Sequence, residues 1–504
     1  MSINYLDKIL QAKVYDVANK TPLELATKLS QRLNNQIWLK REDLQPVFSF
    51  KLRGAYNKII QLSKKDRQKG IIAASAGNHA QGVALAAQKI GIPALIVMPK
   101  TTPGIKVEAV KYLGAKIILH GNSYDDAFDH AKNIERSDGL TFIHPYDDLD
   151  VIAGQGTVAM EMMQQRAQGF DAIFVPVGGG GLIAGIAAYI KALAPQIKII
   201  GVEADDSACL KVALDHQERV VLEQVGIFAD GVAVKQIGKE PFNIVRDKID
   251  DMVLVTSDEI CASIKDIFDE TRSITEPAGA LAVAGIKKYV EQNQINKQTF
   301  AAIVSGANMN FDRLRHVAER AELGKQREAL LAVSVDEKPG SFHRFCHVIG
   351  QRGITEFNYR YADPKVAHVF AGIQLREGNK EKETLIAKLE DHNYQVLDIS
   401  DDDVAKLHIR YMVGGHAPGL TDEIIYRFEF PERPGALLLF LTKIGQRWNI
   451  SMFHYRNHGA DFGRILVGIQ VPSNEKTEFD RFLEELAYQY WDETENPVYK
   501  LFLG

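Results

Sequence analysis

The sequence predicts an α/β protein in which parallel sheets are covered by helices on both faces, followed by a duplicated α+β module. Two observations predict it. Between residues 70 and 202, short apolar runs alternate regularly with helical segments. Towards the C-terminus the chain repeats itself at offsets of 95 and 96 residues.

The alternation runs as follows. Ile71-Ile72-Ala73-Ala74 reads as a short buried strand, with a helix over 79–90. Ala94-Leu95-Ile96-Val97-Met98 is the next strand, with a helix over 105–113. Lys116-Ile117-Ile118-Leu119 follows, then a helix over 124–134. Ala172-Ile173-Phe174-Val175-Pro176-Val177 precedes a helix over 182–193, and Ile199-Ile200-Gly201-Val202 and Ala301-Ala302-Ile303-Val304 are further strands. Apolar strands separated by helices are the pattern of a parallel sheet buried on both faces.

Residues 313–328 are charged and helical and read as a connecting helix or linker. Beyond it Pro339-Gly340 recurs as Pro434-Gly435, and Ile349-Gly350-Gln351-Arg352 as Ile444-Gly445-Gln446-Arg447. One residue further along, Phe357-Asn358-Tyr359-Arg360 recurs as Phe453-His454-Tyr455-Arg456, and Gly372-Ile373-Gln374 as Gly468-Ile469-Gln470. Each copy reads strand, Pro-Gly turn, helix, strand, strand, helix, strand, a split βαβ layout.

The chain has 504 residues, enough for two to four domains. A hydrophobic fraction of 46% with 25% charged residues is the soluble globular mix. Charges of both signs interleave to a net −5, with no basic stripe for nucleic acid. Three scattered cysteines give neither a disulfide framework nor metal-ligand spacing and favour a reducing compartment. No apolar run reaches membrane length and Met1-Ser2-Ile3-Asn4 opens no secretory signal, so the cytoplasm is expected.

Four segments could carry chemistry. Gly178, Gly179, Gly180 and Gly181, followed by Leu182, join a strand to a helix. Glycines let an anion approach backbone N–H groups at a positive helix end, so a phosphate is the favoured ligand, against a plain flexible turn. Ser75, Ala76, Gly77 and Asn78 also lead into a helix, and could bind a carboxylate or simply cap it. His79 reads as a satisfied structural histidine. Lys51, among Phe48, Phe50 and Leu52, could be an amine of lowered pKa, or a plain surface lysine. Ser305 follows an apolar strand, where it could face a ligand crevice or form a turn.

Taken in order, Ser49-Phe50-Lys51-Leu52-Arg53-Gly54-Ala55, Ser75-Ala76-Gly77-Asn78-His79-Ala80-Gln81-Gly82, the glycine run, Glu276-Pro277-Ala278-Gly279-Ala280 and Ser305-Gly306-Ala307-Asn308 closely resemble the serine/threonine dehydratases, fold-type II pyridoxal-phosphate enzymes. The tail repeat resembles the paired ACT-like, ferredoxin-like domains of the biosynthetic threonine dehydratases, so the resemblance spans nearly the whole chain. It implies a catalytic domain over 1–318 built from two parallel-sheet α/β subdomains. A linker helix over 319–328 and ACT-like domains over 329–400 and 424–495 follow.

The resemblance also implies roles. Lys51 looks like the lysine that bonds pyridoxal 5'-phosphate and later removes the substrate's α-proton. Asn78 matches the contact to the cofactor's ring hydroxyl, Gly178 through Leu182 the phosphate cradle, and Ser305 the partner of the pyridine nitrogen. The loop Ser75, Ala76, Gly77, Asn78 is similar to the one that grips the substrate carboxylate. One departure stands out: Glu203 is present where some relatives bind a divalent cation, but Cys209 sits where a second carboxylate is expected. No metal is therefore expected. The implied reaction is dehydration and deamination of L-threonine to 2-oxobutanoate and ammonia, the committed step of isoleucine biosynthesis. L-serine is the secondary substrate, isoleucine the inhibitor, valine its antagonist, and the assembly a homotetramer. A serine-preferring dehydratase is the near alternative, since one methyl discriminates by only ~1–3 kcal/mol. A sensor without catalysis is the other, against which Lys51 and every cofactor segment are intact.

Overall fold

The computed structural model describes residues 4–503, apart from 227, 312, 325–326, 403–404, 407–408, 412–413, 418, 432–435, 445–446, 457–461 and 487. The chain forms two compact units, Met1–Gly324 and Lys325–Gly504. No helix among the described residues is long and apolar enough to cross a membrane.

The N-terminal unit holds two sheets. The strands β1 (Leu23–Leu25) and β2 (Gln36–Arg41) begin the larger one. The chain then leaves it to build β3 (Ile71–Ala74), β4 (Ala94–Met98), β5 (Lys116–Leu119) and β6 (Thr141–Phe142), a parallel sheet of order β5-β4-β3-β6. It returns with β7 (Ala172–Pro176), β8 (Lys198–Ala204), β9 (Asp251–Val255) and β10 (Thr299–Val304). The larger sheet has the order β1-β2-β10-β7-β8-β9, parallel except for the edge strand β1.

Alternation along these strands sorts the core into two layers. Ala172, Phe174, Phe300, Ala302 and Val304 join one buried cluster. Ile173, Val175, Ala301 and Ile303 join another on the opposite face. Helices cover both faces, as continuous apolar strands require. In the first layer Phe174, Tyr289 and Phe300 meet edge to face, with ring centroids 5.4–6.3 Å apart.

The C-terminal unit carries β11 (Glu328–Asp336), β12 (Ile354–Arg360), β13 (Val366–Gln374) and β14 (Gln395–Asp398) in its first copy. The second copy supplies β15 (Glu423–Pro431), β16 (Asn449–Arg456), β17 (Phe462–Gln470) and β18 (Gln489–Asp492). All eight form one antiparallel sheet of order β14-β11-β13-β12-β16-β17-β15-β18. The copies join through β12 and β16, where Asn358 pairs with His454, its own counterpart in the repeat. Phe357 likewise packs edge to face on its counterpart Phe453, with centroids 5.2 Å apart. A two-fold pseudo-axis therefore passes through the Asn358–His454 pair. Both copies also carry the same register shift, at Ile354/Glu356 and at Ile450/Met452.

The helix expected over 319–328 needs correction. It spans Arg313–Gly324, and Glu328 already opens β11, where it pairs with Gln374. Its charge pattern continued past the helix end because the strand's first residue, Glu328, is a buried carboxylate held by the Thr355 hydroxyl and Arg410. Of the repeated turn residues, Pro434, Gly435, Gly445 and Gln446 lie outside the described residues.

Candidate active site

Three of the four sequence-derived segments converge at the C-terminal ends of parallel strands, where loops from adjacent strands enclose a crevice. The loop 75–77 follows β3, the glycine run follows β7, and Ser305 follows β10. Lys51 comes from the helix Lys51–Gln61, whose start is tied to the end of β10. Phe50 N–H donates to the Ser305 carbonyl (3.3 Å), Ala307 N–H donates to the Phe48 carbonyl (2.8 Å), and Ser49 bridges to Gly306.

Lys51 is partly buried, with Nζ 3.4 Å from the Pro145 carbonyl and 5.5 Å from the centre of the Phe50 ring. Burial lowers its amine to about 8, against the opposing pull of the Glu276 carboxylate. Leu52 is fully buried, but Phe48 turns outward and is 55% exposed. The apolar neighbours in sequence are thus only partly the source of the shift. Phe48 holds a positive φ of 55°, an unusual conformation for an aromatic residue.

The glycine run forms a cradle. Among the described residues the amides of 178–183 donate to no acceptor; the first to do so is that of Ala184, to the Gly180 carbonyl (3.0 Å). Six amides at the start of the helix Gly181–Leu193 are a ready anion site. The backbone needs glycine there. Gly180 has φ +90°, and a Cβ on it would lie 2.5 Å from Ile237 Cδ1; a Cβ on Gly179 would lie 2.2 Å from the Tyr146 ring. These features fit a phosphate group.

The loop 75–77 is also poorer in acceptors than in donors. Ser75 Oγ accepts from Gly77 N–H (3.2 Å), while the amides of Ala76, Asn78, His79 and Ala80 donate to no described acceptor. Gly77, not Ser75 or Asn78, is the N-cap of the helix Asn78–Ile90. The Asn78 side chain turns elsewhere, donating from Nδ2 to Glu276 Oε1 (2.6 Å) and accepting at Oδ1 from Asn308 Nδ2 (2.6 Å). His79 is buried with Nε2 2.8 Å from the Ile143 carbonyl, and burial lowers it to about 3. It is a neutral, structural histidine. Ser305 is buried and its hydroxyl donates to the Ala278 carbonyl (3.2 Å).

Sequence reasoning gave no role to Glu276, Asn308, Pro145 or Tyr146, which complete the crevice. Glu276 precedes the helix Pro277–Asn293, so its position reads as an N-cap, yet its side chain makes no capping bond. Burial pushes its carboxyl up to about 7, partly offset by the Asn78 hydrogen bond. A carboxylate before a proline at a helix start was the available signal.

Glu203 is buried, accepting from the amides of Leu210 (2.8 Å) and Lys211 (2.9 Å), with Cys209 Sγ 3.7 Å away. Among the described residues no three His, Cys, Asp or Glu side chains stand together as a metal site.

The C-terminal unit has a small, open cavity lined by the turn at 336–343 of the first copy and by Leu441 and 448–450 of the second. Glu337 in its wall accepts from Asn449 Nδ2 (2.9 Å) and from the Tyr359 hydroxyl. The one-residue slip between the repeats falls here: Gly353 alone separates Arg352 from Ile354, whereas Trp448 and Asn449 separate Arg447 from Ile450.

Comparison with known proteins gives matches over nearly the whole chain. The family model described as pyridoxal-phosphate dependent enzyme matches residues 14–306. That of the C-terminal regulatory domain of threonine dehydratase matches 319–409 and again 414–503. The biosynthetic L-threonine dehydratase of Burkholderia multivorans is 54% identical, over 100% of this chain and 100% of its own. That of Pasteurella multocida is 54% identical, over 99% and 97%. The solved structure of the processed form of threonine deaminase isoform 2 from Solanum lycopersicum is 51% identical, with a TM-score of 0.62 over 63% of this chain and 88% of that chain.

Proposed function

Because the chain belongs to the pyridoxal-phosphate dependent enzymes, among the biosynthetic threonine dehydratases, we propose that its crevice dehydrates and deaminates L-threonine to 2-oxobutanoate and ammonia. The observation that carries the assignment to this crevice is the pairing of a lysine of lowered pKa with a cradle of six unengaged amides. The cofactor is pyridoxal 5'-phosphate, which when bound supplies the electron sink for charge developing at the substrate's α-carbon.

In this reading Gly178, Gly179, Gly180, Gly181 and Leu182 hold the phosphate with their amides. Lys51 bonds the cofactor and, when free, takes the α-proton on Nζ. An amine near 8 is neutral often enough at physiological pH to act as that base. The Pro145 carbonyl orients Nζ, and Asn78 faces the ring hydroxyl. Ser305 meets the ring nitrogen with a hydroxyl, which brings no counter-charge. The loop Ser75, Ala76, Gly77, Asn78 binds the substrate carboxylate through the unengaged amides of Ala76 and Asn78, those of Ser75 and Gly77 being held by the Val97 carbonyl and the Ser75 hydroxyl. Glu203 is given no metal-ligand role in this reading; its two oxygens accept from the amides of Leu210 and Lys211.

The finer assignments follow the same reading. L-serine is a secondary substrate. Isoleucine inhibits and valine opposes it through the C-terminal unit. The cavity at Glu337 supports this: it offers a carboxylate for an ammonium group, the start of the helix Ser341–Ile349 for a carboxylate, and Phe342, Leu441 and Ile450 for an apolar side chain. The catalytic region takes residues 1–318, and the assembly is a homotetramer. Three buried, unpaired cysteines suit a reducing cytoplasm. The deciding experiment is steady-state 2-oxobutanoate formation from threonine and from serine, with and without isoleucine. Turnover of threonine that isoleucine suppresses is expected; no turnover of either substrate by cofactor-loaded protein overturns the reading.

A further inference from the structure

The side chains around Asn78 form a hydrogen-bonded chain with a fixed direction. Asn308 Nδ2 uses both hydrogens, one on the Val47 carbonyl (2.9 Å) and one on Asn78 Oδ1 (2.6 Å). Asn78 Nδ2 gives one hydrogen to Glu276 Oε1 (2.6 Å), and its second has no acceptor among the described residues. Glu276 is 5% exposed, and Gly306 lets it approach: a Cβ there would lie 2.4 Å from Oε1.

A carboxamide has two opposite ends, and its neighbours decide which faces where. A backbone carbonyl only accepts, so Val47 fixes the NH₂ end of Asn308. That end only donates, so it fixes Oδ1 of Asn78. Above about pH 7, where Glu276 is ionised, it only accepts and agrees with the other two. Turning the Asn78 amide over would set oxygen against carboxylate and NH₂ against NH₂, two buried clashes of like polarity.

We infer that Asn308 and Glu276 are positioning residues that keep the Asn78 amide turned so that an N–H, and not a lone pair, remains for the ring oxygen of the cofactor. The inference rests on the reading above in which Asn78 faces that oxygen. A donor there favours the ionised ring oxygen, and a lone pair disfavours it.

The test reverses the chain while keeping its charge. In the double variant Asn308→Asp with Glu276→Gln, the introduced carboxylate only accepts and the introduced carboxamide can donate. Asn78 is then bonded at both ends with its amide turned over, at the cost of the donor that Asn308 gave the Val47 carbonyl. The readout is the ratio of visible to near-ultraviolet absorbance of the bound cofactor in the holoenzyme at one fixed pH. A drop of about tenfold is expected, the scale of losing a hydrogen bond to a charged oxygen. Glu276→Gln alone keeps an acceptor for Asn78 and is expected to stay within about twofold of wild type. The inference is overturned if the double variant keeps the wild-type ratio, or if Glu276→Gln alone moves it as far. A merely structural role would lower the thermal midpoint and leave the ratio in place. If the double variant yields no soluble holoenzyme, Asn308→Ala takes its place, with an expected drop of about threefold; an unchanged ratio there overturns the inference equally. Asn78→Ala separates the two levels. If it leaves the ratio unchanged, Asn78 does not face the ring oxygen, and the underlying reading is what has failed.

Discussion

Arg53 Nη1 donates to Glu161 Oε1 at 2.6 Å, and neither side chain has any exposure to solvent. Arg53 also forks onto both oxygens of Glu42 (2.8 Å each), and Lys40 Nζ meets Glu161 Oε2 (2.6 Å). Two cations and two anions thus balance in a dry core, two residues along the helix from Lys51. Removing one partner of such a set costs about 3–5 kcal/mol, because it strands a buried charge. Arg53→Met should lower the unfolding free energy in urea by that order, and Arg53→Lys should recover little, since an ammonium cannot fork. Burial pushes the Glu42 carboxyl up, but Arg53, with Lys40 and Thr21, outweighs it and holds it below its ordinary value. A depressed carboxylate stabilises the fold above its unfolded pKa of ~4.3 and loses that contribution as pH falls through the folded value. Acid unfolding of Arg53→Met should therefore begin at higher pH than in wild type.

Lys51 should show its lowered pKa in the cofactor-free protein. Only the neutral amine attacks an aldehyde, so the rate of cofactor capture should rise with pH through a midpoint near 8. Glu276→Gln removes the charge that favours the ammonium, so its midpoint should fall below wild type. Lys51→Ala should abolish 2-oxobutanoate formation, with weak cofactor binding surviving on the glycine cradle. Stopped-flow absorbance and an activity assay measure both; a midpoint above that of an ordinary lysine would contradict the buried setting.

Gly180→Ala should damage cofactor binding more than folding. The substitution forces a side chain into φ +90° and against Ile237 and Pro241, at a cost of about 1–3 kcal/mol. The strain is relieved by moving the loop, which misplaces the six amides. Cofactor affinity should fall more than about tenfold while the thermal midpoint drops by only several degrees. Equal affinity in the variant would place the phosphate elsewhere.

The C-terminal unit should be the seat of the isoleucine response. A fragment ending at Gly324 should turn over threonine and ignore isoleucine, because coupling needs a second site. In the full chain Trp448 lines the cavity beside Glu337, so isoleucine should change the intrinsic fluorescence, and Trp448→Phe should remove that change. A fragment still inhibited at the same concentration would put the effector in the N-terminal unit.

Much of the fold was legible because its signals are local. Ile71-Ile72-Ala73-Ala74 and Ala94-Leu95-Ile96-Val97-Met98 are apolar runs bounded by turns, and both are strands with their expected limits. The repeat was legible because both copies keep the same turns and strands. The helix end at Gly324 was not, because Glu328 suits a helix by composition and only its pairing with Gln374 makes it a strand residue. At the crevice, glycines and the lysine announce themselves by type. Glu276 and Asn308 do not: they act on Asn78 from 198 and 230 residues away in the chain, and such a contact leaves no local pattern. Phe48 misled in the other direction, since adjacency to Lys51 in sequence did not bring its ring inward.

The pairing of Asn358 with His454 limits how the two halves of the C-terminal unit can speak to each other. Along a strand successive side chains alternate between faces, so sliding β12 past β16 by a single residue would separate Phe357 from Phe453 and set apolar rings against the opposite face, where Glu356 and Asn358 are buried on Arg410. Small steps of translation are thus closed. What stays open is a change of twist about the central pair, like two hands turning on a common wrist, which leaves every register in place while swinging the outer strands β14 and β18 in opposite senses.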